Sequence, residues 1–464
     1  MNVANRTMFI GDNLPVLRRI DTDSIDLIYL DPPFNSNRDY SAPVGSKEAE
    51  AAFKDAWTLD DLDEREMAEL SMDVYAICRA SQIAHGNSMF SYIAMMAPRL
   101  TEMKRVLKEN GSIYLHCDDT ADAYLRILMD TIFGSEKLQN VITWKRSRGA
   151  KNNAKKYHRD SDRILFYRGK GATWNTLTVP LSKEVADSWY RYTDDDGRRY
   201  NVADLSAPGN NGHYYEFLGA VRGWRHPEEK MQQLLREGRI IHRSITPGSH
   251  RKVAGYKRYL DESKGAPIGT IWADINPIGR SDKESTNYPT QKPLALLRRI
   301  ISASSKPGDM VLDPFCGCAT ACVAAEQDGR HWIGIDLSDV AVDLVIERLK
   351  NDVYGSLNFD AKKEVTARRS LPRRSDAANL PRTQTYKSSM YGEQEGYCKG
   401  CGKHFEIDNI TIDHIIPVSR GGDNRRDNLQ LLCGNCNSSK GDKPMAYLNR
   451  KNEVRIQSRE YVLF

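Results

Sequence analysis

A short apolar run that stops at Asp-Pro occurs twice in this chain: SIDLIYL ahead of Asp31-Pro32-Pro33-Phe34, and MVL ahead of Asp313-Pro314-Phe315. Such runs fit parallel strands buried within a sheet, with the C-terminal end opening into a loop. The flanking segments keep that pattern. APRLTEMKRVLKENG sets Leu100, Met103, Val106 and Leu107 on one helical face, predicts a stop at Gly111 and leads into the strand SIYLHC. ADAYLRILMDTIFG predicts a helix ending at Gly134, and LALLRRIISAS, HWIGIDL and SDVAVDLVIERLK continue as helix, strand and helix. Helices alternating with short apolar strands predict a doubly wound α/β sheet.

Two α/β stretches flank one insert. The text turns basic from about Trp144 to Gly169, and from about Gly171 to Asn287 it is irregular and rich in Gly, Tyr, Trp and Arg, as in a loop-rich insertion. Periodicity lapses again from about Asp352 to Met390, where RRSLPRRSDAANLPRTQTYKSS reads as a basic linker. The expected domains are therefore 1–170, 171–287, 288–354, a linker over 355–390 and a compact module over 391–450. No apolar run reaches the ~20 residues a bilayer needs, and the first residues lack a signal-peptide pattern, so a cytoplasmic protein is expected. Against 62 acidic residues stand 67 Lys and Arg, a net charge of +5 that only mildly favours a polyanionic partner.

Asp31 to Phe34 would sit where a parallel strand ends, the usual ligand position in open α/β sheets. The residue types suit transfer to an exocyclic amine, whose lone pair is delocalised into its ring. A carboxylate accepting the amine N–H, beside a backbone carbonyl held by two prolines, lets charge develop on nitrogen during attack. Phe34 would stack on a base drawn out of a duplex, where stacking is worth ~1–3 kcal/mol. An ordinary Asp-Pro turn has the same four residues. The second element, Asp313-Pro-Phe-Cys-Gly317-Cys-Ala319-Thr320, follows a strand and opens a helix, and Asp336 closes the next strand ~20 residues on, the spacing of a glycine turn and a ribose-binding acid.

This order of motifs resembles the beta group of DNA amino-methyltransferases that use S-adenosylmethionine, with DPP[YF] before a target-recognition insert and DPFxGxG after it. Thr290-Gln291-Lys292-Pro293 also stands where that family places it, and the resemblance covers Met1 to about Tyr354. It implies a Rossmann-like methyltransferase with a doubly wound mixed sheet, acting on double-stranded DNA, and a homodimer. Carried over by position, Asp31, Pro32, Pro33 and Phe34 would bind and activate the flipped base. Asp313, Phe315 and Gly317 would hold the methionine end of the cofactor, Asp336 the ribose hydroxyls, Lys292 the carboxylate, and Asp12 would lie near the adenine ring. Ala319 replaces the second family glycine; alanine suits the turn if its φ stays negative, so cofactor binding is expected to survive. Family members with Asp in the first motif mostly make N6-methyladenine, so adenine is expected, with N4-cytosine as the alternative.

Nine cysteines are present, and Cys398, Cys401, Cys433 and Cys436 form two C-x-x-C pairs, a spacing for a closed tetrahedral zinc site in a module too small for a large core. Cys78, Cys117, Cys316, Cys318 and Cys322 read as reduced, packable residues. Within the zinc frame, Asp413, His414, Asn428 and Asn437 resemble the HNH nuclease motif, a ββα fold around one metal. The resemblance implies His414 as general base, Asp413 and Asn437 as ligands of a Mg²⁺-like ion, Asn428 holding the His-bearing loop, and Lys440 touching phosphate; His404 is expected at the surface. The combined reading is a restriction-modification protein that methylates DNA and cuts it. The rivals are a methyltransferase whose zinc module only binds DNA, and a nuclease with a degenerate methyltransferase.

Overall fold

The computed structural model describes residues 1–34, 38–40, 53–55, 70–147, 155, 157–209, 211–244, 252–279, 281–286, 288, 290–355, 360–376, 386–420, 422, 424, 428–443, 445 and 447–448. Nine strands form the main sheet: β1 Thr7–Ile10, β2 Ile25–Leu30, β3 Leu107–Cys117, β4 Leu138–Lys145, β5 Ser161–Arg168, β6 Ile271–Trp272, β7 Met310–Asp313, β8 His331–Asp336 and β9 Thr366–Arg368. Their order is β6-β4-β5-β3-β2-β7-β8-β1-β9. Only β5 runs antiparallel to its neighbours, pairing β3 on one side and β4 on the other. The predicted doubly wound mixed sheet is present.

Strand and helix lengths follow from burial. In β2, Ile25, Leu27, Ile28 and Leu30 are fully buried, as expected of a strand covered on both faces. The helix over Asp122–Phe133 buries Leu125, Leu128, Met129, Ile132 and Phe133, one stripe at helical spacing, and stops at Gly134, whose φ of 100° suits glycine. Each such side chain taken from water stabilises the fold by about 1.5–3 kcal/mol. The helix over Leu294–Ser304 buries Leu296, Leu297, Ile300 and Ile301 in the same way.

Three expectations are corrected. The helix predicted to stop at Gly111 runs from Asn87 to Val106, and Gly111 lies inside β3, because Leu107 pairs with Ile25 and the chain is already extended there. The expected linker over 355–390 contributes Thr366–Arg368 as the edge strand β9, parallel to β1. Beyond it, the Ser375 amide donates to Asp21 Oδ1 (2.7 Å) and the Thr22 amide to Asp376 Oδ2 (3.0 Å), so backbone pairing and these bonds tie down a segment whose composition resembles a tether. The end of the expected 171–287 insert also differs, since β6 pairs parallel with β4 in the main sheet.

Thr176–Ile268 forms a separate compact unit. It is more regular than its composition suggested. Strands Ile240–Ser244, Lys252–Tyr259, Arg199–Asp204 and Tyr192–Thr193 make a four-stranded antiparallel sheet in that order, and His213–Phe217 pairs with Ala220–Trp224 as a hairpin. Leu205, Phe217, Trp224, Met231 and Leu234 form its buried core. No helix among the described residues is long and apolar enough to cross a membrane.

Candidate active site and cysteine cluster

Chain order reverses between β2 and β7: from β2 the chain passes outward to β3, and from β7 it passes the other way to β8. A crevice outside the strand ends at such a point is where open α/β sheets bind ligands. Parallel register aligns those ends, with Leu312 opposite Ile28, Asp313 opposite Gly334 and Ile10 opposite Asp336. Asp31, Asp313 and Asp336 therefore stand at one edge, although they are far apart in sequence.

Asp31 has two unlike oxygens. Oδ2 pairs with the Lys292 ammonium, whereas Oδ1 is buried and has no hydrogen-bond partner among the described residues. A carboxylate oxygen out of water with no donor is costly unless something fills the place. Pro32 is buried, and Phe34 lies with His116 stacked on it at 5.9 Å and the Lys292 Nζ 5.1 Å from its ring centroid. Lys292, expected at a cofactor carboxylate, thus contacts the motif of the first strand in this structure.

The second motif is tightly held. Asp313 is buried, and burial pushes its carboxyl well above the usual range, although Oδ1 accepts from the Phe315 amide at 3.1 Å. The Gly317 amide donates to Asp336 Oδ2 at 2.7 Å, and the Ser338 amide to Asp336 Oδ1 at 2.9 Å; burial also raises this carboxyl. Gly317 has φ of +51°, and a Cβ there would lie 3.2 Å from the Tyr288 ring, so the absent side chain lets that ring pack close to the turn. Asp12 caps the short helix over Asn13–Leu17, accepting from Leu14, and pairs with Arg99 at 2.8 Å. Arg99 also holds Asn13, whose amide donates to the Pro314 carbonyl at 2.8 Å, linking the end of β1 to the turn after β7.

Ala319 corrects an expectation: its φ is +61° and ψ 28°, the left-handed conformation that alanine was expected to avoid. That geometry costs an L-residue roughly 1–2 kcal/mol and persists where surroundings over-determine it. The surroundings here include Arg348, almost wholly buried, whose Nη1 donates to the Cys318 carbonyl at 3.0 Å and to Thr320 Oγ1 at 2.8 Å, one contact on each side of Ala319. Sequence reasoning missed Arg348, Tyr288, Tyr29, His116 and Asp162. His116 is the last residue but one of the strand SIYLHC, so its place beside a strand terminus was a usable signal; Asp162 and Arg348 carried none, because their partners lie far along the chain.

In the C-terminal module, Ile410–His414 (β10) and Leu429–Cys433 (β11) pair antiparallel, followed by a helix over Gly434–Lys440. The four cysteine sulfurs lie within 4.8 Å of one another, and Cys401 and Cys433 Sγ are 4.0 Å apart. Tetrahedral zinc with Zn–S bonds of about 2.3 Å needs S···S separations of about 3.8 Å, so the donor set fits. Cys398 Sγ also accepts from the amides of Cys433 (3.2 Å) and Gly400 (3.4 Å), bonds that favour a thiolate. The other five cysteines are free and buried.

Asn428 clamps its loop in both directions: Oδ1 accepts from the Ile416 amide at 2.8 Å and Nδ2 donates to the Ile416 carbonyl at 3.0 Å. His414 Nε2 faces Asn424 Oδ1 at 2.8 Å, and His404 is exposed. Lys440, expected on phosphate, is instead buried, with Nζ 3.0 Å from Asp413 Oδ2 and 2.8 Å from the His414 carbonyl. A lysine without water must keep its anion, which explains its inward turn. Gln430 also donates to Asp413 (2.9 Å), and Asn437 Nδ2 donates to Thr411 Oγ1 (3.0 Å). Asp413 is shared between Lys440 and Gln430, and the Asn437 bond runs through Nδ2 and does not use Oδ1, the atom that could ligate a metal.

Comparison with known proteins agrees with this architecture. A family model described as DNA methylase matches residues 25–347, and one described as HNH endonuclease matches residues 398–443. The type II methyltransferase M.EcaI of Enterobacter cloacae is 32% identical over 352 residues, covering 73% of this chain and 68% of its own length. The type III restriction-modification StyLTI Mod subunit of Salmonella typhimurium is 28% identical over 71% of this chain, which spans about half of that relative at 51%. The DNA adenine methyltransferase YhdJ of Escherichia coli is 24% identical, over 79% of this chain and 89% of its own. Sheet order, motif placement and the long family match agree: this chain belongs to the DNA methylase family and carries a C-terminal HNH endonuclease domain.

Proposed function

We propose that this protein transfers the methyl group of S-adenosylmethionine to the N6 amine of an adenine flipped out of double-stranded DNA, and that its C-terminal module cuts DNA. The observation that carries the first part is the buried Asp31 Oδ1, without a hydrogen-bond partner among the described residues, beside Phe34 at the end of β2, the strand next to β7 and its Gly317 turn. An exocyclic N–H would supply the missing donor, and accepting it raises electron density on the amine as it attacks. The cofactor would bind at the Gly317 turn, where the missing side chain lets it approach the backbone, with Asp336 for the ribose hydroxyls and Asp313 and Phe315 flanking the turn. It would supply the activated methyl group; the chain orients donor and acceptor and excludes water. Lys292 would serve its carboxylate, and Asp12 lies at the end of the neighbouring β1. Adenine is favoured by Asp in the DPPF motif and by relatives such as YhdJ, named as an adenine methyltransferase.

For the nuclease, His414 would activate the attacking water, with Asn428 holding its loop. A magnesium-class ion would enter with the DNA phosphates, since such ions usually bind one or two carboxylates plus substrate oxygens. The insert unit would read the target sequence, and the protein would act as a homodimer in the cytoplasm.

Incubation with methyl-labelled S-adenosylmethionine and unmodified bacterial DNA, followed by nucleoside analysis, tests the first part. N6-methyladenine that disappears with Asp31→Ala supports it, and label on cytosine overturns the choice of base. Plasmid nicking in Mg²⁺ that is lost with His414→Ala tests the second; cutting that survives the substitution overturns the role of His414.

A further inference from the structure

His116 stands one residue before the end of β3 with its side chain wholly buried and both ring nitrogens engaged: Nδ1 faces the Tyr29 hydroxyl at 3.0 Å and Nε2 faces Asp162 Oδ2 at 3.1 Å. Burial alone would push the Asp162 carboxyl up, but the His116 bond and the charges of Lys292 and Arg146 outweigh it and hold the group below its usual value. An ionised carboxylate only accepts, so Nε2 carries a proton, and burial keeps the Tyr29 phenol protonated beside Nδ1. The ring is pinned at both ends. Its face stacks on Phe34 (5.9 Å, 28° between planes), and Trp144 meets it edge-on (5.8 Å, 88°). Phe34 itself follows two prolines and lies outside helix or strand, and a backbone held there still leaves the side-chain torsions that set the ring plane to packing.

We infer that His116 is a positioning residue for methyl transfer: oriented by Tyr29 and Asp162, it fixes the plane of Phe34 and thereby the slot in which the target base stacks. The inference rests on the proposed stacking of the base on Phe34. A histidine that only filled the core would be replaceable by any ring of similar size, whereas a ring whose orientation matters would not, because loss of about an ångström in alignment at a reacting centre is felt in rate more than in binding.

His116→Phe keeps an aromatic ring and removes both hydrogen bonds; Tyr29→Phe removes one hydroxyl from a buried ring and carries the test if the first variant folds poorly. Each is measured beside wild type for S-adenosylmethionine affinity, thermal midpoint and single-turnover transfer of labelled methyl to unmodified bacterial DNA. The expected result is a rate lower by about 10- to 100-fold for His116→Phe and about three- to tenfold for Tyr29→Phe, with cofactor affinity within about twofold of wild type. Rates equal to wild type overturn the inference, as do rates that fall only in step with cofactor affinity and thermal midpoint. If wild type itself transfers no label, the proposed function fails first and the inference with it.

Discussion

The main sheet and the C-terminal module both present acids and hydrogen-bonded side chains at a candidate site, but they hold them in different ways. Around β2, β3 and β7 the site stands on a continuous apolar core that includes Leu17, Ile28, Leu100, Ile113, Leu128 and Leu312. The module's core is Met390, Cys398, Ile410, Leu429, Leu431, Leu432, Cys433, Cys436 and Leu448, so three of its nine residues are members of the cysteine cluster. A large core lets site residues carry strain and unpaired atoms, as Ala319 and Asp31 do. A small core spends its polar groups on holding itself together: Lys440 and Asn428, both near the HNH motif, are engaged within the module.

Removing the metal should give the largest effect. Structural zinc contributes about 10–16 kcal/mol in small modules, so chelation or Cys433→Ser should strip protection from hydrogen exchange across 398–443 while β3 stays protected. A module that keeps its protection without zinc would break the comparison. Next, Lys440→Met should destabilise the module by about 3–5 kcal/mol, because the Asp413 carboxylate is left without its buried partner. Proteolysis within the module, with the main sheet intact, is the readout; a neutral outcome would mean that the pair does not hold the fold.

Smaller changes probe the strain the main sheet tolerates. Burial raises the folded-state pKa of Asp313 above its unfolded value of 3.8, so ionisation costs stability at neutral pH, and that cost disappears as pH falls toward about 4 and both states are protonated. Asp313→Asn should therefore be more stable than wild type to denaturant at pH 7, the gap closing in acid, while cofactor binding weakens. A gap that widens in acid would reverse the sign. The smallest expected effect is Ala319→Gly, which should raise stability by up to about 1 kcal/mol in urea unfolding, since glycine takes positive φ without penalty.

Much of this was legible in the residues. Apolar runs ended by Asp-Pro located β2 and β7, and helical stripes located Asp122–Phe133 and Leu294–Ser304, because both signals are local and periodic. The C-x-x-C pairs located the cluster of four cysteines, since four soft ligands in that spacing have few other uses. Composition misled over 355–390, where a polar, basic segment supplies β9: an edge strand takes its stability from backbone pairing, which leaves little mark on side-chain choice. The same reason hid the antiparallel sheet within Thr176–Ile268.

Sequence by itself determined which residues could do chemistry and in what order they come along the chain. Tertiary structure alone decided which oxygen of Asp31 lacks a partner among the described residues, that Lys292 holds the other one, that Lys440 points inward, and that Tyr29, His116 and Asp162 form one chain beside Phe34. These facts depend on directions between side chains from strands that are distant in sequence and adjacent in the sheet. Hydrogen bonds act over about 3 Å and at narrow angles, and no local pattern of residues encodes such geometry.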